Sequence, residues 1–201
     1  MKRPSIKPMR GFTLAETVVV VGIVAVAGAA LVGSIQYFYR SNAYILEQSV
    51  ALDSARRGLA LTLQNFREAS YGDDGAYLVT LAATSSATFY ADIDQDGGIE
   101  RVRAYLSNGT LYRGITGSAG NPATYVGQPE TIETVATYVK NATSTPIFTY
   151  YGSDGTALAY PITISLIRAV GVTMDVDLNP NRLPNVFRLS GTATLRNLRA
   201  E

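Results

Sequence analysis

The chain has 201 residues, 47% of them hydrophobic, which is enough for a domain with a real core and argues against disorder along its whole length. A formal net charge of +1, from 17 Lys and Arg against 16 Asp and Glu, provides no electrostatic footprint for nucleic acid. With neither His nor Cys, the chain cannot build a Ser-His-Asp type triad, a thiolate nucleophile, a disulfide or a Cys-ligated zinc site, so carboxylate chemistry or no chemistry remains.

Met1 to Gly11 reads MKRPSIKPMRG, with Lys2, Arg3, Lys7 and Arg10 and no acid. Thr17 to Tyr39 then runs for 23 residues without a charge. As a helix this run covers roughly 34 Å, enough to cross about 30 Å of hydrocarbon. Four basic residues before it and a single Arg40 after it orient the segment with its N-terminus in the cytoplasm and the remainder outside. Without the basic leader the count falls to 13 basic against 16 acidic residues, so the rest of the chain is mildly acidic.

Three readings fit this N-terminus. An ordinary secretory signal places an A-x-A cleavage site at Ala25-Val26-Ala27 and a mature start at Gly28. A plain signal anchor leaves the segment in the membrane. Both leave Glu16 without a purpose, at the mouth of a run where a carboxylate in hydrocarbon is costly. The third reading uses every residue. Gly11-Phe12-Thr13-Leu14-Ala15-Glu16 resembles the G-F-T-L-x-E processing site of type IV prepilins and type II secretion prepseudopilins, and the apolar helix behind it continues the resemblance. The resemblance implies that a dedicated membrane prepilin peptidase cuts between Gly11 and Phe12, methylates the new N-terminal Phe12 and leaves the helix attached. It also implies that Glu16 pairs with the N-terminal amine of a neighbouring subunit during filament assembly; the plain alternatives for this acid are a snorkelling interfacial side chain or a local helix-start partner. An amine and a carboxylate, each expensive alone in lipid, are tolerable as a pair.

Within the run, Ala25, Ala29 and Gly33 recur every fourth position, a small-residue face that permits close helix approach. Gly33-Ser34 stands where major pilins often carry a Pro. No Pro occurs between Pro8 and Pro122, so the helix is expected to continue past Arg40. Ile45, Ser49, Leu52, Arg56, Leu59, Leu63 and Phe66 form its predicted packing stripe. The turn formers Tyr71-Gly72-Asp73-Asp74-Gly75 end it near Ser70, and a helix from Phe12 to Ser70 would be about 88 Å long.

Beyond Gly75 the composition turns to Thr, Val, Tyr and Ile with Gly and Asn turns, which predicts antiparallel strands. These are expected at Ala76 to Leu81, Ala87 to Asp92, Ile99 to Ser107 and Thr110 to Ile115, the last pair joined by a tight Asn108-Gly109 turn. Ile132, Val135, Ala136 and Val139 fall at helical spacing, which predicts a short helix over Thr131 to Lys140. Strands are expected again at Ile147 to Tyr151, Pro161 to Asp177 with an interruption near Gly171, and Val186 to Leu195, with a Pro-Asn linker at Leu178 to Pro184. Phe89-Tyr90 before Asp96-Gly97 and Tyr150-Tyr151 before Asp154-Gly155 read as similar hairpins. The run ERVRAYLSNGTLYRG, a short helix and FTYYGSDG resemble the J-type minor pseudopilins and W-type minor pilins. The absence of a C-terminal Cys pair and of Trp separates the chain from major subunits of these families, and Glu16 separates it from the type II tip subunit.

Asp92-Ile93-Asp94-Gln95-Asp96-Gly97-Gly98-Ile99-Glu100 is the one ligand-like constellation of the head. Acids at the first, third and fifth positions followed by Gly reproduce the opening of an EF-hand loop, but the twelfth position is Arg103 and the flanks are strand-like. Asp92, Asp94, Asp96 and Glu100 are therefore either a structural calcium site or a solvated turn.

The expected fold class is α+β: a long N-terminal helix, its first half transmembrane, packed on an antiparallel β-rich head. The expected organisation is a removable leader (1–11), a membrane and filament-core helix (12–40) and a globular head (41–201). The expected function is a minor pilin or pseudopilin, not an enzyme, in the inner membrane, with the prepilin peptidase and other pilin or pseudopilin subunits as partners and no nucleic acid. A secreted or anchored calcium-stabilised adhesion module is the alternative.

Overall fold

The computed structural model describes residues 11–178 and 186–198. The leader residues 1–10 and all but Leu178 of the Pro-Asn linker lie outside the described residues. The chain belongs to the α+β class, with one long N-terminal helix packed on antiparallel sheets. It divides into two compact units, the first ending at Leu46 and the second beginning at Glu47.

Helix α1 (Leu14–Arg67) is continuous for 54 residues, about 81 Å. In the first unit nearly every side chain along it is exposed, including Val18, Val21, Ile23, Val26 and Leu31. The helix passes the length and composition test for one membrane span near the N-terminus. It ends three residues before the predicted stop because the β-sheet captures the chain. Ala69 bridges Ala91, and the Ser70 amide donates to the Tyr90 carbonyl at 2.9 Å.

In the second unit, β1 (Val79–Ala82), β2 (Ser86–Ala91), β3 (Glu100–Ser107), β4 (Thr110–Thr116) and β5 (Thr131–Ala136) form an antiparallel meander in chain order. A three-stranded antiparallel sheet follows in the order β6 (Phe148–Tyr151), β7 (Ala169–Val176), β8 (Phe187–Thr194). Tyr138 to Lys140 stitch the two sheets together. The Val139 amide donates to the Gly109 carbonyl of the β3–β4 turn, and Lys140 donates to Asp175 of β7.

The helix face that meets these sheets coincides with the predicted stripe only at its C-terminal end, where Leu63 and Phe66 are buried and Leu59 is half-buried. Further back Ser49 and Arg56 are exposed, and Ala51 and Ala55 are buried in their place. Close approach is the physical reason. A Cβ on Gly58 would lie 2.4 Å from the Val135 carbonyl oxygen of β5, so this part of the helix must present small residues. One turn on, Leu63 fills the space left by the missing side chain of Gly191 on β8. Small residues at the tightest contacts carry little hydrophobicity, so large apolar side chains mark only the C-terminal end of this face. Phe66 then closes the core, its ring 4.2 Å from that of Phe89 on β2 and edge-on to Phe148 on β6 at 6.0 Å.

Other expectations are corrected by the sheets. Thr131 to Ala136 is strand β5, not a helix. Its register on β4 shifts at Val135, and this extra residue reverses the alternation so that Ala136 returns to the core face. The first strand begins at Val79, not Ala76. Pro161 to Arg168 is not strand but holds a short 3-10 turn at Ile164–Leu166, and β7 runs through Gly171 without a break. Gly171 is there because the Tyr151 ring crosses it, 2.9 Å from where a Cβ would sit. The two resembling hairpins also differ: Asp96-Gly97 joins paired strands, whereas after Asp154-Gly155 the chain returns with a single bridge, Tyr151 to Ala157.

Candidate functional site

Two features carry the chemistry singled out in the sequence: the start of α1 and the acidic β2–β3 loop. Gly11 and Phe12 are exposed and precede the helix, outside any regular element. Thr13 caps the helix. Its Oγ1 accepts from the Glu16 amide at 3.3 Å, and Glu16 Oε2 accepts from the Thr13 amide at 3.0 Å and from the Thr13 hydroxyl at 3.1 Å. This is a reciprocal capping box, in which T-x-x-E satisfies donors that the first helical turn leaves orphaned. The carboxylate also sits where the helix dipole favours negative charge. Both of these carboxylate bonds fall on Oε2. Glu16 is thus a local helix-start partner, one of the alternatives that the sequence left open for this acid.

The acidic loop folds through a series of local carboxylate-to-amide bonds. Asp92 Oδ2 accepts from the Gly97 amide at 3.2 Å, Asp94 Oδ1 from the Asp96 amide at 3.3 Å, and Asp96 Oδ1 from the Gly98 amide at 2.7 Å. Gly97 takes a positive φ of 91°, which Gly tolerates without strain, and Gln95 sits in the left-handed region at 63°. Glu100 Oε2 accepts from the Ile93 amide at 2.8 Å and so ties the two ends of the loop. Asp92, Asp94 and Glu100 are brought together, with one carboxylate oxygen of each within 4.8 Å of the others. Asp96 is not part of this group. Asp92 Oδ1 is buried without a hydrogen-bond partner. Burial pushes the Glu100 carboxyl above the ordinary range, against the Ile93 amide, and Asp94, Asp92 and Asp96 push it further. Arg103, at the twelfth position of the loop, lies on β3 and makes a bidentate pair with Glu130, at 2.9 and 2.7 Å, so an EF-hand closure is absent.

Residues outside the motif hold the loop in place. Asp73 Oδ2 accepts from the Ile99 amide at 3.2 Å. The Tyr125 hydroxyl donates to the Ile99 carbonyl and accepts from the Asp73 amide at 3.1 Å, while its ring packs on Tyr90 at 5.1 Å. Sequence reasoning treated Asp73 only as a turn former and did not single out Tyr125. Both act across long sequence separations, and nothing local marks them.

No protein-family model matches the chain, and no curated protein matches it. The oxygen-only donors of Asp92, Asp94 and Glu100 fit a hard divalent cation such as calcium, with the orphaned Asp92 Oδ1 as an available ligand atom.

Proposed function

We propose that this chain is a minor pilin or pseudopilin, a structural subunit that acts in the initiation or assembly of a type IV pilus or type II secretion pseudopilus. One observation carries the reading: Gly11-Phe12-Thr13-Leu14-Ala15-Glu16 stands at the head of a 54-residue helix that is apolar and exposed first and sheet-packed later. A membrane peptidase needs an accessible bond ahead of a retained apolar helix, and this arrangement supplies one. Cleavage converts Phe12 into a free amine one turn from Glu16. In a filament core of packed helices that amine and the Glu16 carboxylate of a neighbour neutralise each other, which sets axial register without any catalysis. The subunit resides in the inner membrane with its N-terminus in the cytoplasm and its β-rich head outside, and it meets the prepilin peptidase and other pilin or pseudopilin subunits. J-type minor pseudopilins and W-type minor pilins are the kinds it resembles most.

Replacing Gly11 by Ala tests the reading. The variant is expected to accumulate in the membrane at precursor mass, whereas the parent chain co-expressed with a prepilin peptidase loses residues 1–11. Equal processing of both would remove the basis of the proposal.

The convergence of Asp92, Asp94 and Glu100 favours a second role, alone or within the first, as a calcium-stabilised binding or adhesion module. Calcium would draw the three carboxylates together, relieve their repulsion and stiffen a loop that Asp73 and Tyr125 already clasp. Thermal unfolding in millimolar calcium is then expected to shift upward by a few degrees relative to excess chelator, about 1–3 kcal/mol by linkage. Asp94→Asn is expected to abolish the shift; an unchanged midpoint in the parent chain rejects calcium.

A further inference from the structure

Tyr37, Phe38 and Tyr39 are consecutive on α1 and 71%, 76% and 75% exposed. Successive helical residues are about 100° apart, so the three rings wrap more than half the circumference of the helix. A helix that docks on a protein surface concentrates its rings on one face, whereas a helix anchored at a lipid–water boundary presents them all round. The surroundings change across this point as an interface does. On the N-terminal side the polar Ser34 hydroxyl is satisfied internally, donating to the Ala30 carbonyl at 3.0 Å. On the C-terminal side come Arg40, Ser41 and Asn42, with Arg40 exposed and complementary in charge to headgroup phosphates.

We infer that Tyr37, Phe38 and Tyr39 form an aromatic collar that seats in the outer headgroup region of the membrane and sets the depth of the span. This rests on the membrane placement proposed above. The consequence concerns Glu16. From Glu16 to Phe38 the helix rises roughly 33 Å, against about 30 Å of hydrocarbon. With the collar at the outer boundary, Glu16 lies at the inner one, hydrated and held by Thr13, not buried in hydrocarbon. The acid then meets a low-dielectric environment only when the subunit leaves the bilayer for a filament, where a neighbour's amine is available. The lipid-resident subunit is thereby spared an unpaired buried charge.

The absence of Trp makes the depth measurable, since each single Trp introduced is the sole indole of the chain. The full-length chain carrying Phe38→Trp, Val26→Trp or Leu14→Trp is reconstituted into phosphatidylcholine–phosphatidylglycerol vesicles with lipids brominated either near the headgroup or near the chain ends. F38W and L14W are expected to be quenched about two-fold more by the shallow than by the deep label, and V26W about two-fold more by the deep label. Tyr39→Trp provides a second reporter of the collar. If V26W is deeply quenched while F38W and Y39W are quenched best by the deep label, the collar is misplaced and only this inference falls. Quenching of V26W without quenching of F38W and Y39W also overturns it, with red-shifted emission placing the rings in water and blue-shifted emission placing them under a second copy. Absence of quenching in all variants overturns the membrane placement itself.

Discussion

Substituting Phe66 by Ala lowers the free energy of unfolding of the β-rich unit by about 3–5 kcal/mol. Phe66 is fully buried and touches both sheets, through Phe89 and Phe148. Its removal leaves a cavity that neither rigid sheet can collapse to fill, so the cavity cost adds to the lost transfer energy. For a unit of this size the midpoint falls by roughly 10 °C. Equilibrium urea unfolding followed by tyrosine fluorescence reads the effect. A loss below about 1 kcal/mol, within the range of a surface substitution, would mean that the helix is not the wall of this core.

The second large effect is on assembly. Under the proposed function, Glu16→Gln leaves cleavage at Gly11 intact but removes the partner of a neighbour's amine. Gln still accepts from the Thr13 amide, because a capping box works with Glu or Gln, so helix initiation is preserved. What is lost is the charge. An uncompensated buried amine costs about 3–5 kcal/mol per contact, which lowers incorporation at least roughly 100-fold. Thr13→Ala is the complementary control. It removes the cap, at about 1 kcal/mol, yet keeps the carboxylate and is expected to assemble detectably. Co-purification of processed subunit with sheared filaments separates the two. Normal incorporation of Glu16→Gln would show that the acid serves the helix start alone.

The comparison of sequence with structure follows the range of each interaction. The continuous helix was legible because Pro is absent and the apolar run is unbroken. The β3–β4 hairpin was legible in Asn108-Gly109, whose positive φ values of 50° and 76° are those of a tight hairpin turn. Errors arose where tertiary packing overrides local pattern. Val135 opposes the bare Gly58 and forms a bulge, and its shift in strand phase mimics a helical period over Thr131 to Lys140. The helix stripe held at Leu63 and Phe66 but failed at Ser49 and Arg56, because Gly58 is set by close approach to Val135 and the buried Ala51 and Ala55 carry little hydrophobic signal. At the acidic loop, spacing located Asp92, Asp94 and Glu100 but also included Asp96, whose carboxylate is taken by its own turn. The clasp from Asp73 and Tyr125 is a product of topology, visible only once the α1–β1 loop lies beside the β2–β3 loop.

The proposed function assumes that the chain begins its working life at Phe12. The N-terminus of the membrane-associated chain, read by mass spectrometry after expression with a prepilin peptidase, tests this most directly. An N-methylated Phe12 is the expected result. A terminus at Gly28, or an intact Met1 in the presence of active peptidase, would contradict the account.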